Sequence, residues 1–338
     1  MTAADLAVVV VWVGLTAYAI LAGADFGGGW WDLLAGNGER GRPVRQLIER
    51  SLGPVWEANH VWLIFVLVLL WTLFPRVFAA VLSTLYIPLT LAALGIIGRG
   101  SALVYRGVAV RPWQRRLLSA TFGLSSVLTP FFFGAAAGAI AAGRVPPGIA
   151  AGDRIASWWN PTSVVTGVLA VAVGCYLAAV YLTEDAVRAG DERLANQFRF
   201  RAMATGVVIG GIGLIDLYVI ATQSPRLWDQ MSGGRGLPAV VLSFVAGIVS
   251  LILLWLRAYI AVRVSAALAV VSMIWAWGLG QYAEMLPGLT VSEAAAPDNV
   301  IVTVLGSLAV GSVLLIPSLW WLYSLAQREP SGSRRPSP

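Results

Sequence analysis

The chain has little charge, one histidine, one cysteine and no lysine. Of its 338 residues only 12% are charged, against about 25% in a soluble domain. That deficit, beside 58% hydrophobic residues, excludes a water-soluble globule, whose core cannot absorb so much apolar sequence. The lone Cys175 lies in an apolar run, which excludes an internal disulfide and a cysteine-ligated cluster. All 23 basic residues are arginine, a bias in keeping with base composition that carries no function by itself. The net charge of +6 is spread over short loops and forms no patch, so no nucleic-acid partner is expected. The N-terminus has no basic n-region and no small-residue cleavage site, so a cleaved signal peptide is not expected.

What the chain does have is long apolar runs. A spanning helix needs about 20 mostly apolar residues. Nine segments qualify: 5–31, 52–74, 77–98, 117–142, 162–183, 202–222, 239–256, 264–286 and 300–325. Only the Phe74-Pro75-Arg76 corner separates the second from the third, which predicts a tight helical hairpin. The odd-numbered connections and the C-terminal tail carry 18 arginines, and the even-numbered ones carry 5. Positive charge stays inside, so the N-terminus is expected outside and the C-terminus in the cytoplasm. Residues 1–326 then form a single transmembrane domain, and 327–338 read as a disordered cytoplasmic tail. The pairs Trp30-Trp31, Trp158-Trp159 and Trp320-Trp321 lie near span ends and read as interfacial belts.

Ionisable groups inside a span are expensive and mark candidate sites. Glu57 and the only histidine, His60, stand three apart at the start of the second span and share one helix face. Asp25 lies late in the first span, in a glycine-rich stretch suited to close helix packing. Asp25 is about six residues from the inner end of its span and Glu57 about five from the start of the next, so both lie roughly 7–9 Å inside the boundary. Two acids and a histidine at that depth can exchange protons with the cytoplasmic side. The plainer reading makes Asp25 a helix-packing group and His60 a hydrogen-bonded bundle residue. Asp216, deep in the sixth span, needs a partner such as a tyrosine or glutamine and is structural on the plain reading. Glu284, near an outer helix end, is expected to be solvated, and Arg99 and Arg106 are expected to snorkel at the inner end of the third span. One histidine cannot supply the axial ligands of a multi-haem enzyme, so independent haem chemistry is not expected.

Several blocks together resemble subunit II of the cytochrome bd-type quinol oxidases. They are Gly23-Ala24-Asp25-Phe26-Gly27, then Gly53-Pro54-Val55-Trp56-Glu57-Ala58-Asn59-His60-Val61-Trp62-Leu63-Ile64, Phe74-Pro75, Arg99-Gly100 through Tyr105-Arg106, Asn160-Pro161, and Gln281-Tyr282 with Leu289-Thr290-Val291 and Ala294-Ala295-Ala296-Pro297. They occur in the family's order over most of the chain. The tryptophan–acid–Asn–tryptophan block is specific, whereas the glycine motif alone is weak. A proline common in the family is replaced by Ala283.

The resemblance implies an all-α polytopic fold of two four-helix bundles plus one peripheral helix. It implies a partner, the haem-bearing subunit I, which holds haem b and haem d and takes electrons from quinol to reduce dioxygen to water. It leaves room for a bound quinone, for small accessory subunits and for membrane lipid, in a bacterial cytoplasmic (inner) membrane. Asp25, Glu57 and His60 become candidates for proton transfer or haem-site support, and Trp56, Asn59, Arg99 and Asp216 for structural polar roles. The competing expectation is a secondary transporter or proton channel. Against it, the chain lacks paired, internally broken spans in two halves, and only the Pro130 span looks broken.

Overall fold

The computed structural model describes residues 2–36, 38–52 and 56–327. Helices dominate. In chain order they are α1 (Ala3–Leu34), α2 (Arg42–Leu52), α3 (Trp56–Leu73), α4 (Pro75–Thr84), α5 (Tyr86–Arg106), α6 (Pro112–Ala141), α7 (Pro161–Arg188), α8 (Glu192–Gln223), α9 (Pro225–Ser232), α10 (Leu237–Trp255) and α11 (Tyr259–Gln281). A two-stranded hairpin follows, β1 (Glu284–Leu286) and β2 (Leu289–Thr290), then α12 (Val291–Ala294) and α13 (Asp298–Gln327). Eight of the described helices are long and apolar enough to cross a membrane, and the bent pair formed by α3 and α4 is a further candidate. Beyond Gln327 the expected tail lies outside the described residues.

Three departures from the expected spans have local causes. The segment expected as one span at 77–98 is two helices broken at Leu85. Pro88 has no N–H to give to the carbonyl of Thr84 and its ring clashes there, so α4 ends at Thr84 and α5 starts afresh. The Phe74-Pro75-Arg76 corner is consequently a 118° bend into a short helix, not a tight hairpin. At Pro130, α6 instead stays helical throughout. The eighth span stops at Gln281, where the chain enters the β-hairpin, whose turn uses Gly288 at φ 71°. The short helices α2 and α9 were not expected. In α2, Val44, Leu47 and Ile48 are buried at i, i+3 and i+4 spacing.

The bundle is organised around α7. Its residues Leu177, Ala178, Ala179 and Leu182 are fully enclosed, and it packs on α1, α6 and α8. The crossing of α1 over α7 is so close that a Cβ at Gly27 would collide with the Gly174 carbonyl. Only glycine allows backbones to meet in this way, and dispersion and close packing then hold helices that gain no hydrophobic drive in lipid. Trp31 belongs to the same seam. Expected as part of an interfacial belt, it is buried, and its indole N–H donates to the Cys175 carbonyl at 2.9 Å. Trp320 and Trp321, on α13, are exposed.

Candidate functional site

The site is built where α1, α3, α5 and α6 meet. Asp25 on α1 is 1% exposed and Arg99 on α5 is 4% exposed. Arg99 Nη2 donates to Asp25 Oδ1 at 2.7 Å and to the Asp25 carbonyl at 3.0 Å. Arg99 Nη1 reaches Ser126 Oγ at 3.4 Å, and that hydroxyl donates in turn to the Phe122 carbonyl at 2.7 Å. The guanidinium also lies 4.9 Å from the centre of the Phe26 ring and 4.7 Å from that of Phe122. A buried charge needs such compensation on every side. Arg99 therefore does not snorkel; it is a fully enclosed counter-ion.

A second pair repeats the first one level toward the helix ends. Arg106 donates to Asp32 from Nη1 at 3.1 Å and from Nη2 at 3.3 Å. Its guanidinium lies 5.9 Å from the Phe122 ring, so Phe122 is shared by both arginines. Both pairs span the same 74-residue offset, so α1 and α5 run parallel and in register. Asp32 sits at the C-terminal end of α1, where the helix dipole disfavours an acid and makes the arginine the more necessary. Sequence reading had missed Asp32 and the pairing itself. The signal was present: Asp25 and Asp32 are seven apart, and so are Arg99 and Arg106.

The start of α3 docks on the same level of α1. Asn59 Nδ2 donates to the Leu21 carbonyl at 3.3 Å, and the His60 ring stands edge-on to Phe26 with centres 6.4 Å apart. Among the described residues three buried oxygens here lack a hydrogen-bond partner: Asp25 Oδ2, Asn59 Oδ1 and the Tyr18 hydroxyl. Unpaired buried polar atoms are costly, and their concentration in one place marks a site. Asp25, Asn59, His60 and Arg99 are thus brought together. The Trp56 and Glu57 side chains, and the Gly53-Pro54-Val55 entry to the helix, lie outside the described residues.

Asp216 is not part of this cluster. It lies on α8 in the second half of the bundle, where its partner is neither a tyrosine nor a glutamine: Thr166 donates to Asp216 Oδ1 at 3.1 Å. It lines an apolar cavity of about 210 Å³ between α7, α8, α10 and α11. Glu284, outside the spans, is ion-paired to Arg226 and not simply solvated. The Arg226 hydrogen bond holds its carboxyl below the ordinary glutamate range.

Residues 3–326 match the sequence model of a family described as cytochrome bd terminal oxidase subunit II. The chain is 33% identical over 135 residues to cytochrome bd ubiquinol oxidase subunit 2 of Bacillus subtilis (strain 168), 38% of each protein. It is 26% identical over 211 residues to cytochrome bd-I ubiquinol oxidase subunit 2 of Escherichia coli (strain K12), 61% of this chain and 52% of that one. The chain thus spans between about a third and about half of the length of these relatives. A solved structure of bd oxidase from Geobacillus thermodenitrificans superposes with a TM-score of 0.77 at 24% identity, covering 97% of this chain and 99% of that one, which shows a shared fold.

Proposed function

The chain belongs to the cytochrome bd terminal oxidase subunit II family, and on that premise we propose that it is the non-haem-ligating subunit of a quinol-oxidising, dioxygen-reducing complex in a bacterial cytoplasmic membrane. The family match over nearly the whole chain carries this reading. Its partner would be subunit I, holding the haem b and haem d groups and meeting quinol. With a single histidine, this chain could hold several haems only by drawing on its methionines, tyrosines or Cys175 as axial ligands, which favours placing the haems on subunit I. We take the bent α3–α4 pair as one crossing, which makes nine. The arrangement is then α1, α3, α5 and α6 in one bundle, α7, α8, α10 and α11 in the other, and α13 at the periphery. The N-terminus lies outside and the C-terminus inside, a reading supported by the arginine bias.

Within this assignment the chain's own residues have two jobs. Arg99 and Asp25 form a neutral unit that can be buried, and they fix α1 against α5. Asp25 Oδ2, the oxygen left over, is where a water or a partner group would donate a proton. His60 lies within electrostatic range of Asp25, and Glu57 precedes it by one turn. The three would form the proton-supplying or haem-supporting wall presented to subunit I. Glu57→Ala is expected to lower quinol-dependent oxygen consumption. Unchanged turnover with an unchanged haem spectrum would remove Glu57 from the site. Loss of haem with normal assembly would assign it to haem support and not to proton supply.

The assignment is tested by purifying the chain with its native neighbours and recording a visible spectrum as the subunits are separated. Haem absorbance should leave with the second subunit. Haem retained by the isolated chain would overturn the reading, as would a haem-free, solitary protein that moves a solute.

A further inference from the structure

The arginines that reach the interior of the bundle are paired with acids: Arg99 with Asp25, Arg106 with Asp32, and Arg263 with Glu184. Two arginines of α8 differ: Arg199 has a buried Nε with no acceptor among the described residues, and Arg201 is the one seated on aromatic rings. Its guanidinium is stacked on two rings, 4.9 Å from the centre of Trp31 and 4.9 Å from that of Phe198. Its Nη1 is shielded from solvent and, among the described residues, has no acceptor. No ion pair to Arg201 occurs among the described residues. Arg201 is only partly buried, but aromatic faces attract a cation and neutralise nothing, so the site suits an anion from outside the described residues.

We propose that Arg201 binds the phosphate of an anionic phospholipid at the arginine-rich end of the bundle. What lies beneath it selects a lipid over a free ion or a partner's acid. Helical spacing puts Ala204, Val208, Gly211 and Ile215 on the Arg201 face of α8, at i+3, i+7, i+10 and i+14. All four are exposed, and none carries a polar side chain. From Arg201 to Gly211 the helix rises about 15 Å, the depth of one leaflet of hydrocarbon. An anion held at the top of an open, apolar strip one leaflet long has the shape of a phospholipid. Trp31 reinforces it, since its buried ring forms one wall of the cation's seat while its N–H is committed to Cys175.

The site stands independently of the oxidase assignment. The test uses the protein purified with its native neighbours in mild detergent, with bound lipid counted by native mass spectrometry. Wild type should retain an anionic phospholipid that Arg201→Gln loses by about tenfold, the scale of one charge-assisted hydrogen bond. Arg201→Lys, which keeps the charge, should recover part of it. Equal retention by Arg201→Gln overturns the proposal. So does loss of a neighbouring subunit with the lipid count unchanged, which would make the anion a partner's carboxylate. If Arg201→Gln does not assemble, delipidated wild type decides. Phosphatidylglycerol should raise its thermal midpoint, whereas inorganic phosphate and phosphatidylcholine should not. A rise with inorganic phosphate alone, or none with phosphatidylglycerol, counts equally against a lipid.

Discussion

The two halves of the bundle contain acid–arginine contacts of the same chemistry in opposite settings. In the first half the inner pair is enclosed on both sides, with Arg99 4% exposed and Asp25 1%, and in the outer pair Arg106 is 18% exposed and Asp32 3%. In the second half only the acid is enclosed. Glu184 is buried at the end of α7, but its partners Arg188 and Arg263 are 57% and 31% exposed. Arg263 approaches Glu184 Oε2 at 2.7 Å, yet that oxygen has no aligned hydrogen bond. The second cluster can exchange its partners for water and counter-ions, and the first cannot. Polar contacts of equal length therefore differ in what they enforce. One fixes the register of two helices, and the other neutralises a helix end that water already reaches.

This contrast can be broken experimentally. Arg99→Ala leaves Asp25 as an uncompensated buried charge and should cost about 3–5 kcal/mol, read as lost assembly or a lowered thermal midpoint of the purified complex. Adding Asp25→Asn should return part of that loss, because both charges are then gone. An Arg99→Ala protein no less stable than Arg263→Ala would abolish the distinction between the halves. Gly27→Ala strikes the seam that joins them. It forces a methyl into the Gly174 carbonyl and should cost about 1–3 kcal/mol by overpacking, measured by the same midpoint. Arg263→Ala should cost only about 0–1 kcal/mol, and less at high salt, as expected of a partly exposed pair.

The smallest effect belongs to a third setting, the water-facing pair of Arg226 and Glu284. Arg226 lowers the Glu284 carboxyl below its ordinary value. The pair's contribution is therefore present above the unfolded glutamate pKa of about 4.3 and fades as pH falls through the lower folded value. A thermal-midpoint profile in acid should show this slope in wild type and lose it in Glu284→Gln. An identical profile in the two proteins would mean that the pair contributes nothing.

Much of this arrangement was legible in the sequence. Apolar run length located most of the long helices, though 77–98 is two helices and not one span, and the cost of buried charge singled out Asp25, His60 and Glu57, the last with its side chain outside the described residues. What escaped was pairing. Arg99 and Arg106 read as loop-flanking residues because the third span was drawn from residue 77. A helix that starts at Tyr86 carries both arginines inside, opposite Asp25 and Asp32. The clue to that start was Pro88, whose effect falls four residues upstream and not at the proline itself. Asp216 could not be given its partner, because Thr166 is one of many span hydroxyls and only the packing of α7 on α8 selects it. Trp31 was misplaced for a similar reason, since a tryptophan near a span end looks the same whether it meets lipid or a neighbouring helix.

The equal offset of the two ion pairs has a consequence for how the protein is made. Asp25 and Asp32 leave the ribosome 74 residues before Arg99 and Arg106. The first helix must therefore enter the membrane carrying acids whose partners have not yet been synthesised. An acid at a helix centre opposes insertion by about 2.5–3.5 kcal/mol, and the long apolar stretch before Asp25 must outweigh whatever part of that applies at its depth. Arrival of α5 then removes the debt for both acids at once.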